Sequence, residues 1–166
     1  NLLFASYERV LWFHGSANLR RTARFSGRVY SQASRYLTMA WRCAYLEDWR
    51  ADGSEGLVLG GETGLRGYDQ YFRTGDRMAI MNLEARFFPS IRLHSAIFSP
   101  VLFADAGQTW KRGEDLGFDA VHAAVGAGVR IALEHSARER LVRFDFSYSE
   151  ANGWQLSVSG YHYFGA

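Results

Sequence analysis

Hydrophobic and polar residues alternate with a period of two along most of this chain, which is the pattern of β-strands with two different faces. In one clear example, Met81 and Leu83 lie on one face of a predicted strand and Asn82 lies on the other. The pattern predicts an all-β, antiparallel fold in a single domain. The eight predicted strands cover approximately residues 2–13, 22–30, 36–46, 77–87, 95–106, 121–133, 142–148 and 154–164.

The polar face of several predicted strands carries arginines next to acids, separated by small Gly, Ala and Ser residues. An ion-pair network in a hydrated lumen has this composition, and it favours an antiparallel transmembrane β-barrel of about eight strands. A soluble β-sandwich or lipocalin-like barrel alternates in the same way, so it stays open on periodicity alone. The residues predicted to form the polar network are Arg42, Glu84, Arg86, Asp105, Arg130, Arg143 and Asp145.

The composition separates this chain from helical membrane proteins and from nucleic-acid-binding proteins. Hydrophobic residues make up 48% and aromatic residues 16%, yet the mean hydropathy is −0.21. No stretch reaches the roughly 18 consecutive apolar residues of a transmembrane helix, whereas barrel strands average to such a modest value. The net charge is only +2, and acids lie among the arginines. We therefore expect no nucleic-acid partner.

The sequence offers no motif for catalysis, a metal or a cofactor. Gly-x-Ser-x-Gly and His-Glu-x-x-His are absent, the histidines lie far apart, and the Gly-rich segments lack the Lys-Ser/Thr of a phosphate loop. Cys43 is the single cysteine, so neither an intrachain disulfide nor a cysteine-based zinc site can form. We expect no enzyme activity, no metal and no cofactor. The first residues lack a charged segment before an apolar run, which predicts a mature chain or a fragment.

The predicted connections between strands alternate in length. Short turns are predicted at 32–34, 89–91 and 135–138, and longer loops at 14–21, 50–73 and 111–119. Outer-membrane barrels have short turns on the periplasmic side and longer loops outside. With eight strands, both termini are then predicted to face the periplasm.

The longest predicted loop, residues 49–73, is too long for a simple hairpin connection. Its glycines permit unusual backbone conformations beside one cation, Arg66, and one aromatic residue, Tyr68. A loop that folds inward with a cation needs an anionic partner, and Asp105 is the first candidate and Glu84 the second. In the alternative, Asp105 begins a turn and Arg66 is solvated. The glycines closest to Arg66 in the sequence of this loop are Gly60, Gly61, Gly64 and Gly67.

Several of these residues, in this order, resemble one family. The segment Leu65-Arg66-Gly67-Tyr68 resembles the inward-folded loop signature of the BamA/TamA/FhaC superfamily of outer-membrane translocases and insertases, also described as bacterial surface antigens. The Phe-x-Asp-x-Gly segment at Phe103, Asp105 and Gly107 is similar to the segment that receives the loop arginine in that superfamily. The runs 125–130 and 141–146 are similar to its penultimate strands.

The resemblance implies a fold and a function. Its members carry sixteen strands behind periplasmic POTRA domains, so this chain would be a C-terminal half-barrel without a POTRA domain, closed by a second copy or by a missing N-terminal half. It would sit in the outer membrane of a Gram-negative bacterium, in contact with lipid and lipopolysaccharide. Its partner would be an unfolded polypeptide or a nascent outer-membrane protein that it translocates or inserts. A dimeric pore or an anchor for another protein is the first alternative, and a soluble ligand-binding β-domain is the second.

The last residues depart from the family pattern. The chain ends in Gly165 and Ala166, whereas the superfamily ends in the terminal aromatic residue of the barrel-assembly signal. This departure counts against the standard recognition of the last strand.

Overall fold

The structure, a computed structural model, describes residues 2–14, 18–49, 56–88, 92–93, 96–115, 117–133 and 141–160, and these residues form an all-β, antiparallel fold. The prediction of fold class is confirmed at this level. A single turn of 3-10 helix, Phe118–Ala120, interrupts the strands. The strands are β1 (Leu2–His14), β2 (Asn18–Ser34), β3 (Leu37–Trp49), β4 (Leu57–Leu59), β5 (Arg73–Gly75), β6 (Arg77–Phe87), β7 (Arg92–Leu93), β8 (Ala96–Trp110), β9 (His122–Leu133), β10 (Leu141–Ser149) and β11 (Gly153–Ser159).

Nine of these strands form one sheet, in which all neighbours are antiparallel. Its order is β1-β2-β3-β6-β8-β9-β10-β11, and β7 pairs with the start of β8. Strands β4 and β5 form a separate two-stranded hairpin. Strands β1 and β11 lie at the two ends of the order, and no pairing joins them within the described residues. The described sheet is therefore open.

In a soluble β-protein the apolar side of a sheet is buried and the polar side is exposed. In this sheet the polar side is buried and the apolar side is exposed. In β10 the side chains of Arg143 and Asp145 are 3% and 0% exposed, whereas those of Phe144 and Phe146 are 39% and 49% exposed. We call the side of Arg143 the polar face and the side of Phe144 the apolar face. The same inversion continues on the neighbouring strands, where exposed apolar side chains include Phe25, Trp41, Met81, Leu102, Val125 and Leu156.

The hairpin β4–β5 and the segment between its strands, residues 60–72, cover the polar face. We call this segment the anchor loop. Strand β4 contacts β3, β6 and β8, and the backbone of the anchor loop contacts side chains of β6 and β10. A small apolar core lies between the hairpin, the anchor loop and the sheet. It consists of Ala44, Leu46, Leu57, Leu59, Leu65, Tyr68, Met78, Ile80 and Ala124, with Phe72 packed against it.

The structure corrects several predicted boundaries. The long loop predicted at 14–21 is wrong, because β1 reaches His14 and β2 starts at Asn18, and Arg20 and Arg21 pair with the backbone of β1. The turn predicted at 32–34 is also wrong, since Ser34 ends β2 and Arg35 and Tyr36 form the turn. The polar residues at these strand ends predict loops, but the backbone ladder extends through them regardless of side-chain polarity.

Strand β8 extends to Trp110, four residues beyond its prediction, and β4 and β5 lie inside the segment predicted as one loop. The turns predicted at 89–91 and 135–138, and the end of the last predicted strand beyond residue 160, lie outside the described residues.

Candidate functional site: a buried ion-pair network beneath the anchor loop

Strand register brings the acidic groups of the site together on the polar face. Asn82 of β6 lies opposite Asp105 of β8, and Glu84 lies opposite Phe103. Residues that alternate along a strand share a face, so Asn82 and Glu84 point to the same side as Asp105. The Asn82 Nδ2 atom donates to Asp105 Oδ1 at 2.8 Å, which fixes the orientation of that carboxylate.

The anchor loop begins with a tight turn that brings its tip against the sheet. The Gly60 carbonyl oxygen accepts hydrogen bonds from the backbone amides of Thr63 (3.2 Å) and Leu65 (3.0 Å), and the Gly60 amide donates to Thr63 Oγ1 at 2.9 Å. The Gly64 carbonyl oxygen of the loop then accepts a hydrogen bond from Asn82 Nδ2 of β6 at 2.7 Å. One side chain of β6 thus holds both the loop backbone and the carboxylate that receives the loop arginine.

Arg66 lies at the centre of the site and is 2% exposed. Its Nε and Nη2 atoms donate to the two oxygens of Asp105 at 2.6 and 2.7 Å, a bidentate pair, and its Nη1 donates to Glu84 Oε1 at 2.6 Å. Its guanidinium carbon lies 3.6 Å from the centre of the Phe103 ring, which is within the range of cation–π attraction. Both acids that the sequence offered as partners of Arg66 therefore bind it at once.

The network continues from Arg66 across the polar face. Arg130 donates to Asp145 and lies 3.4 Å from Glu84, and Arg143 Nε lies 2.9 Å from Asp145 Oδ2. Arg86 donates to the second oxygen of Glu84 at 2.8 Å. Three of the arginines, Arg66, Arg130 and Arg143, are buried together with the three acids, and Arg86 is partly exposed.

Balanced charge is what makes this site stable. A buried charge without a partner is strongly unfavourable, whereas groups that are paired and hydrogen-bonded offset their loss of hydration. Glu84 and Asp145 each contact two or more arginines, so the network has no separable pair. Arg42 lies at its margin, where Nη1 donates to Asn82 Oδ1 at 3.5 Å.

The residues on either side of Arg66 attach the loop to other strands. Leu65 is fully buried in the apolar core. The Ser149 hydroxyl of β10 donates to the Gly67 carbonyl oxygen at 2.5 Å, and the Tyr68 hydroxyl donates to the Ala123 carbonyl oxygen of β9 at 2.9 Å. Burial raises the pKa of the Tyr68 hydroxyl, so this donor keeps its proton at neutral pH. The four-residue motif thus contacts β6, β8, β9 and β10.

Glycine is required at Gly67 for two reasons. Its φ is +81°, and a Cβ atom there would lie 3.0 Å from Ser147 Oγ. Gly126 is required by space alone, because a Cβ atom there would collide with the Phe103 ring that supports Arg66. The other predicted glycines also lie at close contacts: Gly60 with the backbone of Asp69, Gly61 with the Tyr68 carbonyl, Gly64 with the Ile80 side chain and Gly107 with the Leu59 side chain.

Sequence reasoning missed three polar side chains of the site. Asn82 bridges the loop and Asp105, Ser149 holds Gly67, and Ser147 lies against Gly67. All three are 1% exposed or less. Alternation places Asn82 and Ser147 on the polar face, which was the available signal, whereas Ser149 lies one residue beyond the strand predicted at 142–148.

The charged groups of the site are engaged with one another, and Arg66 joins the anchor loop to the sheet. Within the described ranges, no group of three or more His, Cys, Asp or Glu residues could hold a metal ion. No helix among those residues is both long and apolar enough to cross a membrane.

Comparisons with protein-family models, with curated proteins and with solved structures found no match to this chain.

Removing the Arg66 side chain should destabilise the fold strongly. The Arg66→Ala variant leaves Asp105 without a cation and is expected to lose about 3–5 kcal/mol of unfolding free energy. Arg66→Lys retains the charge but not the bidentate geometry, so it should recover only part of the loss. Urea titration followed by tryptophan fluorescence measures this difference.

The control for Arg66→Ala is Arg73→Ala, which removes an exposed arginine near the same loop. That variant should change the stability by no more than about 0.5 kcal/mol. Equal stability of the Arg66→Ala variant and the unmodified chain would contradict the structural role given to Arg66.

Adding one methyl group at Gly67 should release the anchor loop. The Gly67→Ala variant combines a strained positive φ with a contact at Ser147, and it should increase trypsin cleavage after Arg66. Gly113→Ala is the matched control, because Gly113 also has a positive φ (+93°) but nothing lies near its Cβ position. Limited proteolysis with mass spectrometry distinguishes the two. Equal cleavage after Arg66 in the two variants would mean that Gly67 does not position the loop.

Proposed function

We propose that this sheet is part of an antiparallel transmembrane β-barrel in the outer membrane of a Gram-negative bacterium. The polar face is its lumen wall and the apolar face contacts lipid. The observation that carries this proposal is the inverted burial of the two faces. In water a β-protein buries its large apolar side chains, whereas here those of the apolar face are exposed and seven of the described acids and arginines are buried. Hydrocarbon around the apolar face makes that arrangement favourable.

The two end strands must find partners in such a membrane. Backbone amides and carbonyls that face hydrocarbon without a hydrogen bond are strongly unfavourable, so the edges of β1 and β11 require closure. An eight-stranded barrel is nearly filled by its own side chains, and the anchor loop needs more room than that. A second copy of the chain or an N-terminal half would supply both the partners and the width.

The orientation in the membrane follows from the loop lengths. The anchor loop, the segment between β8 and β9, and the β10–β11 turn lie at one end of the sheet. Long loops of bacterial barrels lie outside the cell. The start of β1 and the end of β11 then face the periplasm, as the sequence predicts.

We infer a role in translocating polypeptides or inserting nascent outer-membrane proteins, with the anchor loop as a latch over the lumen wall. The support is the resemblance at residues 65–68 and at Phe103, Asp105 and Gly107, together with the contacts between Arg66 and Asp105. No residue of the site is assigned a catalytic role. A second candidate is a membrane anchor for another protein, which the many bonds between the loop and the wall favour because they keep the lumen filled.

A charge on the apolar face tests the membrane contact. Leu102 is 54% exposed near the middle of β8. In a bilayer Leu102→Arg should cost about 2–4 kcal/mol, but in water no more than about 0.5 kcal/mol. The readout is urea titration of the chain in phospholipid vesicles, followed by heat-modifiable migration on gels. Tyr71→Arg, in the exposed part of the anchor loop, is the control and should be neutral. A neutral Leu102→Arg variant would argue for a soluble domain.

Release of the anchor loop tests the latch. The Gly67→Ala variant, which should release the loop, and its matched control Gly113→Ala are placed in vesicles. If the loop is a latch, Gly67→Ala should raise the passage or insertion of an unfolded polypeptide, whereas Gly113→Ala should keep the activity of the unmodified chain. Equal activity of the two variants would favour the anchor role.

A further inference from the structure

Two arginines of neighbouring strands lie opposite each other on the polar face. Arg28 of β2 is paired in register with Arg42 of β3, and Arg42 is paired with Asn82 of β6. Residues opposite each other in antiparallel strands point to the same side, and Arg42 Nη1 lies 3.5 Å from Asn82 Oδ1 on the polar face. The Cβ atoms of such a pair are roughly 5 Å apart, a distance at which like charges repel. This row therefore places two positive charges side by side.

Arg86 of β6 brings a third positive charge to the same part of the polar face. Its guanidinium carbon lies 5.6 Å from the centre of the Tyr30 ring, and Tyr30 follows Arg28 by two residues on the same side of β2. Ala40 of β3 lies opposite both Tyr30 and Glu84, and its small side chain lets Arg86 pass over β3. We call Arg28, Arg42 and Arg86 the arginine cluster.

The acids of the polar face do not balance the charge of the arginine cluster. The buried network already pairs its three acids with three other arginines, namely Glu84, Asp105 and Asp145 with Arg66, Arg130 and Arg143. Further acids lie at a distance along the strands, since the register pairs Glu8 with Arg24 and Asp48 with Thr22. A hydrogen bond to a neutral group leaves the charge of an arginine in place. This part of the polar face is therefore net positive.

The arginine cluster is open to an approaching anion. Arg28 and Arg42 are partly exposed, and the side chain of Arg86 is 17% exposed, compared with 1% for that of Arg66. The hydrogen bonds of the anchor loop with the sheet go to β6, β8, β9 and β10, whereas Arg28 and Arg42 lie on β2 and β3. An anion can therefore bind at the cluster while Arg66 keeps its partners.

We propose that the arginine cluster binds the carboxylates of an acidic segment of an unfolded polypeptide. A carboxylate between Arg28 and Arg42 accepts hydrogen bonds from the Nη atoms of both and offsets their repulsion. This inference rests on the proposed translocation or insertion role and adds the substrate class, a chain rich in Asp or Glu. The cluster lies on the face away from the proposed lipid contact, so a polypeptide in the lumen reaches it and a lipid phosphate does not.

Two unfolded peptides that differ only in charge test the proposal. They share one length and a Gly-Ser background, and every fourth residue is Glu in one and Gln in the other. Fluorescence anisotropy measures the binding of each labelled peptide to the full chain in a non-ionic detergent. At low salt the unmodified chain should bind the Glu peptide about 10-fold more tightly, the effect of one charged hydrogen-bonded contact. Added salt should reduce this preference, because it screens partly exposed charges.

The test variant combines Arg28→Gln with Arg42→Gln. It should bind both peptides equally and keep the affinity for the Gln peptide, and it should fold because it removes a repulsion. The matched control combines Arg35→Gln with Arg73→Gln, which removes the same charge from two exposed arginines outside the cluster and should keep the preference. If the test variant does not fold, Arg28→Gln alone replaces it and should lower the preference about 3-fold, half of the effect on a logarithmic scale.

Equal binding of the two peptides by an unmodified chain that requires detergent would overturn this inference alone. A preference that the test variant keeps would do the same. Loss of the preference in the control would assign it to net charge and not to the cluster, which also overturns the inference. A chain that stays dissolved without detergent and binds neither peptide would overturn the proposed function as well.

Discussion

The buried guanidinium of Arg66 is the interaction on which the rest of the structure depends. It contacts Asp105 and Glu84 at hydrogen-bond distance and stacks on Phe103, so one side chain neutralises acids from two strands and attaches a loop to both. Without a cation at this point, β6 and β8 would bring two carboxylates towards each other in a largely dehydrated space. The anchor loop is therefore a structural part of the sheet, and the small residues around it exist to let it approach. Gly67 and Gly126 are the clearest cases, since a methyl group at either position would meet a residue of the site.

The sequence predicted the parts of this site that alternation and charge determine. Period-two patterning placed Glu84, Asp105, Arg130 and Asp145 on one face, because a strand leaves only two sides for its residues. The pair between Arg66 and Asp105, expected from the need of a buried cation for an anion, is present. Alternation could not predict how far each strand extends, or that β4 and β5 form a hairpin within the long loop. It also could not predict that Asn82 and Ser149 donate hydrogen bonds to carbonyl oxygens of the anchor loop. These depend on register and on the path of the loop, and no local pattern encodes them.

The apolar face of the sheet is exposed and the polar face is buried, which is the opposite of the arrangement in a soluble β-protein. Strand β10 alternates buried Asp145 and Ser147 with exposed Phe146 and Tyr148. The proposed membrane location accounts for this pattern, because it gives the two sides different surroundings. In the proposed barrel, lipid would cover the apolar face, so the side chains on that face need no partner within the protein.

The hydrogen bond between Ser149 and the Gly67 carbonyl joins residues 82 positions apart. The loop can make all of its contacts only when β6, β8, β9 and β10 are paired, because its partners lie on these four strands. The position of a loop early in the sequence thus depends on strands that follow it by up to 82 residues.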